Sequence, residues 1–425
     1  MLKRFMIASL CITPLIANST ITTLLDRLQD RPEYQLDTLL SEESHLKKEL
    51  IETKLKPSLN LFSNYEISSS PAGMVSVPPN ELLPMVKNPS VAQPFSRRIL
   101  RGGVSFTYPL FIKEIGTLKE KASLMHLALQ KKQALNLLQR EAIVVGSVAQ
   151  LYYMEQLKES LESKKSSIQE SKSVVEVKVE SGRIPQSQLL MINNHLNEID
   201  IKLNKIEQTK NLLKSKIESL TGVTLNETIP LEIKREVIKR EIFALKPLKE
   251  ILQAKEKNLQ AKKEVSYPKI IAKGKYVYSR ANAYNNGYTV DENYETAGVY
   301  LSMPLYNKLN DKAKEMAKID LLKEKSKIAQ TKHSLEVKAK ALKSEIGLLR
   351  DSIDLVSKNI ANQEELRNIA KVSFRLARIT QEEYLRYEDA LALAEANLYG
   401  LKTKIWQDEA ELAVIYGNDL KEIFQ

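Results

Sequence analysis

Two stretches of this chain carry one residue pattern at a constant offset of 195 positions. Val104, Phe106, Tyr108, Pro109, Leu110 and Phe111 correspond to Val299, Leu301, Met303, Pro304, Leu305 and Tyr306. Arg183-Ile184 corresponds to Arg378-Ile379, and Thr221-Gly222 to Tyr416-Gly417, with no insertion or deletion between Val104 and Gly222. A long unit that recurs in register implies two internal structural repeats, stacked or paired about a shared axis. Such a chain is expected to be a conduit or scaffold before it is expected to be an enzyme.

Most of each unit has helical periodicity. Leu196, Ile199, Leu203, Ile206, Leu213, Ile217 and Leu220 alternate steps of three and four, with Lys210 the one polar intruder. The second copy keeps that register in Leu391, Ala394, Leu398, Leu401, Leu412 and Ile415, with Ile405 in the slot of Lys210 and Asp408 in the slot of Leu213. Leu342, Ile346, Leu349, Ile353, Val356 and Ile360 form a second such stripe, and Met154, Leu161, Ile168 and Val175 a sparser one. These are coiled-coil seams. No proline interrupts Ile112 to Val179 or Lys308 to Leu376. At 1.5 Å per residue each helix would run roughly 100 Å, too long for a globular core to cover, so it must pack against similar helices.

Ahead of each long helix the period changes to two. Val104, Phe106, Tyr108 and Leu110 alternate with Ser105 and Thr107, and Val299, Leu301 and Met303 alternate with Tyr300 and Ser302. Paired with Leu59 to Tyr65 and Ala272 to Tyr278, they predict one β-hairpin per copy, over 57-111 and 267-306. Strands of about ten residues suffice to cross a bilayer at a tilt. Alternation alone does not separate a transmembrane hairpin from a soluble one. Pro57 and Pro268 mark the entries and Pro109 and Pro304 the exits; the first hairpin is longer by a loop containing Pro71, Pro78, Pro79, Pro84, Pro89 and Pro94. The layout is then a first repeat over 20-222, a connector over 223-246 with a short helix packed across the long ones, and a second repeat over 247-425. Single helices, Leu24 to Lys54 and Pro247 to Val265, lead into the two hairpins.

Residues 1-19 have the form of a secretory signal peptide: Lys3 and Arg4, an apolar stretch from Phe5 to Ala17, then Ala17-Asn18-Ser19. Cys11 is the sole cysteine and follows Leu10, a poor lipoprotein cleavage box, so the mature chain is expected to lack thiols and disulfides. The formal charge of +11 falls to +9 without Lys3 and Arg4. Lysines interleave with glutamates on helical segments, as on long solvated faces, and no basic cluster flanked by aromatics points to nucleic acid. No apolar run approaches the roughly 18 residues of a membrane-spanning helix. P-loop, HExxH, Rossmann and nucleophile-elbow patterns are absent. His45, His126, His195 and His333 stand singly, so no metal site, cofactor or catalytic residue is expected.

If the hairpins span a membrane, four strands cannot close, and the open edges would leave backbone groups unpaired in hydrocarbon at several kcal/mol each. Three copies would supply twelve strands, within the range of about 8 to 26 known for such barrels. The expected fold class is therefore mainly α with a small β part. Long antiparallel coiled-coil helices form an α-barrel in a trimer, and four transmembrane β-strands per chain enter a shared 12-stranded β-barrel.

In this order of elements the chain resembles the TolC-like outer-membrane efflux family, and the resemblance covers essentially the whole mature sequence. Its most specific part is a turn motif that occurs twice, as Val179-Glu180-Ser181-Gly182-Arg183-Ile184-Pro185-Gln186-Ser187-Gln188-Leu189-Leu190 and as Phe374-Arg375-Leu376-Ala377-Arg378-Ile379-Thr380-Gln381-Glu382-Glu383-Tyr384-Leu385. The resemblance implies a homotrimeric outer-membrane channel, in outer-membrane lipid above and periplasm below. It would be the exit duct of a tripartite efflux pump or type I secretion system, energised by an inner-membrane pump through a periplasmic adaptor (membrane fusion protein). It makes Gly182, Arg183, Ile184, Ala377, Arg378 and Ile379 the periplasmic tips and adaptor-docking residues, each isoleucine an apolar anchor beside a charge. Gln188, Phe374, Glu383, Tyr384 and Arg386 become entrance and gate candidates.

Departures from the family pattern matter here. Gln188 stands where an acid is common, Phe374 lacks a hydroxyl that some members use at the gate, Ala377 replaces glycine, and Arg386 replaces another entrance acid. A closed entrance is thus expected to rely on packing of Phe374 and Tyr384. The rival reading is a periplasmic adaptor or coiled-coil scaffold outside the outer membrane; two hairpin-plus-helix copies argue against it.

Overall fold

The computed structural model describes residues 20–425; the signal predicted over 1-19, with Cys11, lies outside them. The chain folds as two compact units. One comprises residues up to Leu40, Gln130–Leu248 and Ile328–Gln425; the other comprises Ser41–Leu129 and Lys249–Lys327.

Thr20 caps the first helix, α1 (Ile21–Arg27), its hydroxyl accepting from the Thr23 N–H at 3.4 Å. The single helix expected from Leu24 to Lys54 is broken. After a 3-10 turn, Arg31 is extended at φ −84 and ψ 150, because Pro32 excludes the α region from the residue before it. Helix α2 (Pro32–Thr53) starts afresh.

Strand β1 (Ser58–Gly73), helix α3 (Pro79–Lys87) and strand β2 (Phe95–Ile112) follow, and strands β3 (Lys269–Asn282) and β4 (Thr289–Ser302) come after the first set of helices. The strands are 14 to 18 residues long, well beyond the expected ten. They form one antiparallel sheet in the order β1-β2-β3-β4. The two hairpins are joined by β2 and β3 from Ile99↔Ala281 to Ile112↔Lys269. Pro109 does not end β2. It lies at a register shift between Pro109 and Phe111, where a bulge accommodates a residue that cannot donate to the ladder.

The two sheet faces differ sharply. One carries Leu59, Leu61, Tyr65, Phe106 and Tyr276, all exposed. The other buries Ile99, Val277, Ser279 and Ala281 at 7% exposure or less. A Cβ at Gly103 would collide with the Tyr276 carbonyl and come within 2.9 Å of the Phe62 ring, so only glycine fits there. We take the buried face as the concave one and the exposed face as the convex one. At the far end Met74 packs onto Ile99 and Ala281, so the loop after β1 begins on the concave side.

Helices α4 (Lys113–Glu180) and α5 (Gln186–Thr221) follow β2, α6 (Lys246–Glu264) precedes β3, and α7 (Lys308–Arg375), α8 (Gln381–Tyr416) and α9 (Leu420–Ile423) end the chain. α4 and α7 are 68 residues each, α5 and α8 36 each, and their first residues stand 195 apart (308 − 113 and 381 − 186). The seams are buried where the periodicity places them: Leu196, Ile199, Ile206, Leu213 and Ile217 on α5, Leu391, Ala394, Leu412 and Ile415 on α8, Leu342 and Ile346 on α7. Lys210 is buried with them and paired with Glu155 at 2.5 Å.

The connector's helical part is one 3-10 turn, Phe243–Leu245, immediately ahead of α6, and the rest is non-helical. Leu225, Ile229 and Leu231 are buried against α1, α4 and Trp406, and Ile233 forms an antiparallel bridge with Phe424. Burial at 229 and 231, with Ile233 partly buried, is a strand period, and Pro230 removes a helical N–H. Among the described residues no helix is long and apolar enough to cross a membrane.

Candidate functional site at the paired helical turns

Both helical turns close by the same backbone device. In the first, Arg183 N–H donates to Lys178 O at 2.9 Å and Gly182 N–H to Val179 O at 2.9 Å; in the second, Arg378 N–H donates to Ser373 O at 2.9 Å and Ala377 N–H to Phe374 O at 3.0 Å. These pairs define a Schellman motif, whose penultimate residue must be left-handed. Gly182 takes φ 70 at no steric cost, and Ala377 takes φ 56 as the only non-glycine residue with positive φ among those described.

The next helices start differently. Pro185 precedes α5 without a side-chain cap. Thr380 and Glu383 form a capping box at α8: Glu383 N–H donates to Thr380 Oγ1 at 3.2 Å and Thr380 N–H to Glu383 Oε2 at 2.7 Å. The Thr380 N–H, and then its hydroxyl, which also donates to Glu383 Oε2 at 3.0 Å, hold the Glu383 carboxyl below the usual carboxylate range. The candidate entrance acid is thus engaged in starting a helix.

The two turns lie against one apolar cluster. Leu161, Ile168, Val175, Ile192, Leu196, Ile199, Ala370, Phe374, Tyr384 and Leu385 form it, with Val179, Ile184, Leu189 and Ile379 partly buried against it. Ile184 and Ile379 are therefore half-covered rather than freely projecting, while Arg183 and Arg378 are exposed. Phe374 and Tyr384 stack at 5.3 Å between centroids and 11° between planes, and Lys178 Nζ lies 5.6 Å from the Phe374 centroid.

Beneath the stacked rings is a buried polar group with no apparent sequence signal. Tyr384 Oη and Ser167 Oγ both donate to Glu388 Oε1 at 2.5 Å, and the two hydroxyl oxygens lie 2.6 Å apart. Burial, with the Glu388 hydrogen bond second, pushes the Tyr384 phenol up to about 12. Tyr384 and Glu388 are one helical turn apart on α8, but Ser167 comes from α4. Further links tie the hairpins: Gln381 Nε2 donates to Gln188 O at 3.1 Å, Lys371 pairs with Glu170 at 2.7 Å, and Lys164 with Asp389. Arg386 is exposed and pairs only along its own helix, with Glu382 at 2.6 Å.

Within this site the structure brings together Gly182, Ile184, Gln188, Phe374, Ala377, Ile379, Glu383 and Tyr384. No group of three or more His, Cys, Asp or Glu able to hold a metal occurs among the described residues. His45 and His126 do meet, edge to face at 5.4 Å.

No protein-family model and no curated protein matches the sequence. Solved structures do. The outer membrane protein VceC of Vibrio cholerae aligns over 94% of this chain and 96% of its own at TM-score 0.78 and 11% identity. The outer membrane channel CmeC of Campylobacter jejuni aligns over 95% and 86% at 0.77 and 12%. The open-state MtrE outer membrane channel of Neisseria gonorrhoeae aligns over 95% and 90% at 0.75 and 13%. Long paired helices and a four-stranded antiparallel sheet, matched by these channels over 94 to 95% of the chain, give it the TolC-like fold.

Proposed function

We propose that this chain is one third of an outer-membrane export duct. Three copies join four strands each into a 12-stranded barrel in the outer membrane, and their helices pack as an α-barrel in the periplasm. The observation that carries this reading is the open sheet: β1 and β4 are its outer strands, and its convex face exposes Leu59, Leu61, Tyr65, Val299 and Leu301. A strand edge in lipid leaves every second backbone group unpaired, and only closure removes it. Pairing β4 of one copy with β1 of the next satisfies both edges and sets the apolar face against lipid. Further support comes from α7, which exposes Leu309, Met316, Ile319, Leu322, Leu348 and Leu355, a stripe suited to a neighbouring helix.

The equal helix lengths and constant offset support two repeats, 20-222 and 247-425, joined by the connector 223-246. The duct is passive. An inner-membrane pump supplies the energy through a periplasmic adaptor that docks at Gly182-Arg183-Ile184 and Ala377-Arg378-Ile379, in efflux or type I secretion. Packing of Phe374 on Tyr384 holds the entrance closed. The test is fractionation followed by gels run with and without boiling. Outer-membrane material that migrates as a trimer and collapses to a monomer on boiling is expected. A monomer in the soluble periplasmic fraction refutes the duct.

A further inference from the structure

The concave face of the sheet is unevenly charged. By register it carries Arg101, Lys269, Lys273 and Lys275 against Glu66 and Glu292. Both acids lie beside Arg101. Arg101 Nη1 pairs with Glu66 at 2.6 Å, and Glu292 stands in the cross-strand row Asn64, Arg101, Ser279, Glu292. Lys269 is paired with Glu114 at 3.5 Å.

Lys273 and Lys275 have no acid in their rows. Lys275 is level with Asn60, Ser105 and Thr296, and Lys273 with Ser58, Thr107 and Gly298. Each ammonium lies instead over a tyrosine ring: Lys273 Nζ is 5.4 Å from the Tyr300 centroid, and Lys275 Nζ is 5.1 Å from the Tyr294 centroid and 3.2 Å from its hydroxyl. A ring quadrupole holds a cation in place without cancelling its charge. The two lysines lean opposite ways along the strand, Lys273 toward Tyr300, which pairs with Ile271, and Lys275 toward Tyr294, which pairs with Val277. They therefore place positive charge at two successive levels of the concave face.

We propose that Lys273 and Lys275, repeated in three copies, line the β-barrel as an anion filter, so that the solutes it favours carry carboxylate, phosphate or sulfonate groups. This rests on the duct reading, which turns the concave face toward the pore. Rings of one charge in a narrow, low-dielectric passage concentrate counter-ions and set selectivity. The tyrosines keep the lysines against the wall, so the filter adds charge without closing the bore.

The test is the reversal potential of the full-length protein in planar bilayers of neutral lipid under a tenfold KCl gradient. Wild type is expected to prefer chloride, and to lose most of that preference when both sides are raised to molar salt. K273Q/K275Q should lower the chloride-to-potassium permeability ratio at least threefold, K273E/K275E should bring it below one, and K273R/K275R should retain it. Unboiled-gel trimers confirm that each variant assembles. A cation-selective wild type, or an unchanged potential in K273Q/K275Q, overturns the filter and leaves the duct standing. No current at any voltage, even in the entrance-opened Phe374→Ala background, overturns the duct, and the filter with it.

Discussion

The paired turns offer an internal control, because one backbone geometry is occupied by glycine in one copy and alanine in the other. A left-handed conformation costs an L-residue about 1–2 kcal/mol. Glycine escapes that cost but gives up about 0.5–1 kcal/mol more backbone entropy on ordering. The difference predicts that Ala377→Gly stabilises its turn by about 0.5–1 kcal/mol and that Gly182→Ala destabilises its own by a similar amount. Sterics do not complicate the comparison, since a Cβ at Gly182 meets nothing within 4 Å. Local opening of each turn can be followed by hydrogen exchange on peptides spanning 173–192 and 368–387 in the detergent-solubilised protein. A shift of about 1 kcal/mol changes an opening equilibrium roughly fivefold. Exchange should slow in the second peptide for Ala377→Gly and quicken in the first for Gly182→Ala. Opposite signs, or no change in either, would show that the left-handed residue does not limit the turn.

Other perturbations probe separate parts of the molecule. Glu141 is buried, and burial pushes its carboxyl from 4.5 to about 7 against the pull of Lys421 and with Asp419 and Asp26 nearby. A raised acid destabilises the fold progressively from pH 4.5 to 7, by roughly 3 kcal/mol above that window. Glu141→Gln should therefore raise the thermal midpoint at pH 8 and leave it unchanged near pH 4. Tyr384→Phe strips a donor from buried Glu388 and should cost about 1–3 kcal/mol, read as faster exchange at the start of α8; a silent variant would discount the polar group. Phe374→Ala should raise single-channel conductance, and an unchanged trace argues against a packed entrance. Leu61→Arg, on the convex face at 85% exposure, should cost up to about 2–4 kcal/mol in lipid and deplete outer-membrane trimer. Asn60→Arg, on the opposite face, should not, and equal losses would mean that the faces are misassigned.

The helices were legible because their information is local. The three-four steps on α5 and α8 recur within a few turns, and the seams they mark are buried. The break between α1 and α2 was missed, because the apolar period from Leu24 to Lys54 runs on past Pro32, whose effect on Arg31 is what splits the helix. Strand length was not legible. The first half of β4, Thr289 to Glu295, carries only Thr289, Asp291, Asn293 and Glu295 on its convex face, and it is a strand because β3 pairs with it from Asn282↔Thr289 onward. The join of β2 to β3 depends on residues about 180 positions apart in the chain, such as Ile99 and Ala281. In the site, Gly182 marks the first turn, the Arg-Ile pair recurring 195 positions on marks the second despite Ala377, and the Thr380–Glu383 spacing is a readable cap. Ser167 could not be read, because its role exists only once α4 meets α8.

The polar half of β4 also bears on how the sheet would meet lipid in the proposed duct. Leu59, Phe106, Gly274 and Ala297 share one cross-strand row. On β1 the convex apolar residues run from that row toward Ile67; on β4 they run the other way, through Val299 and Leu301, while Glu295, Asn293 and Asp291 occupy the side that is apolar on β1. The apolar band therefore descends as it crosses from β1 to β4. A lipid layer is level, so strands bearing such a band must tilt within it, and closed barrels require strand tilt of about 35–45°. Strands of 14 to 18 residues follow from the same geometry, since an oblique strand must be longer than the layer is thick. In the proposed duct the carboxylates of Asp291 and Glu295, on the convex face of β4, would then stand above the hydrocarbon, where lipid exposure costs them little.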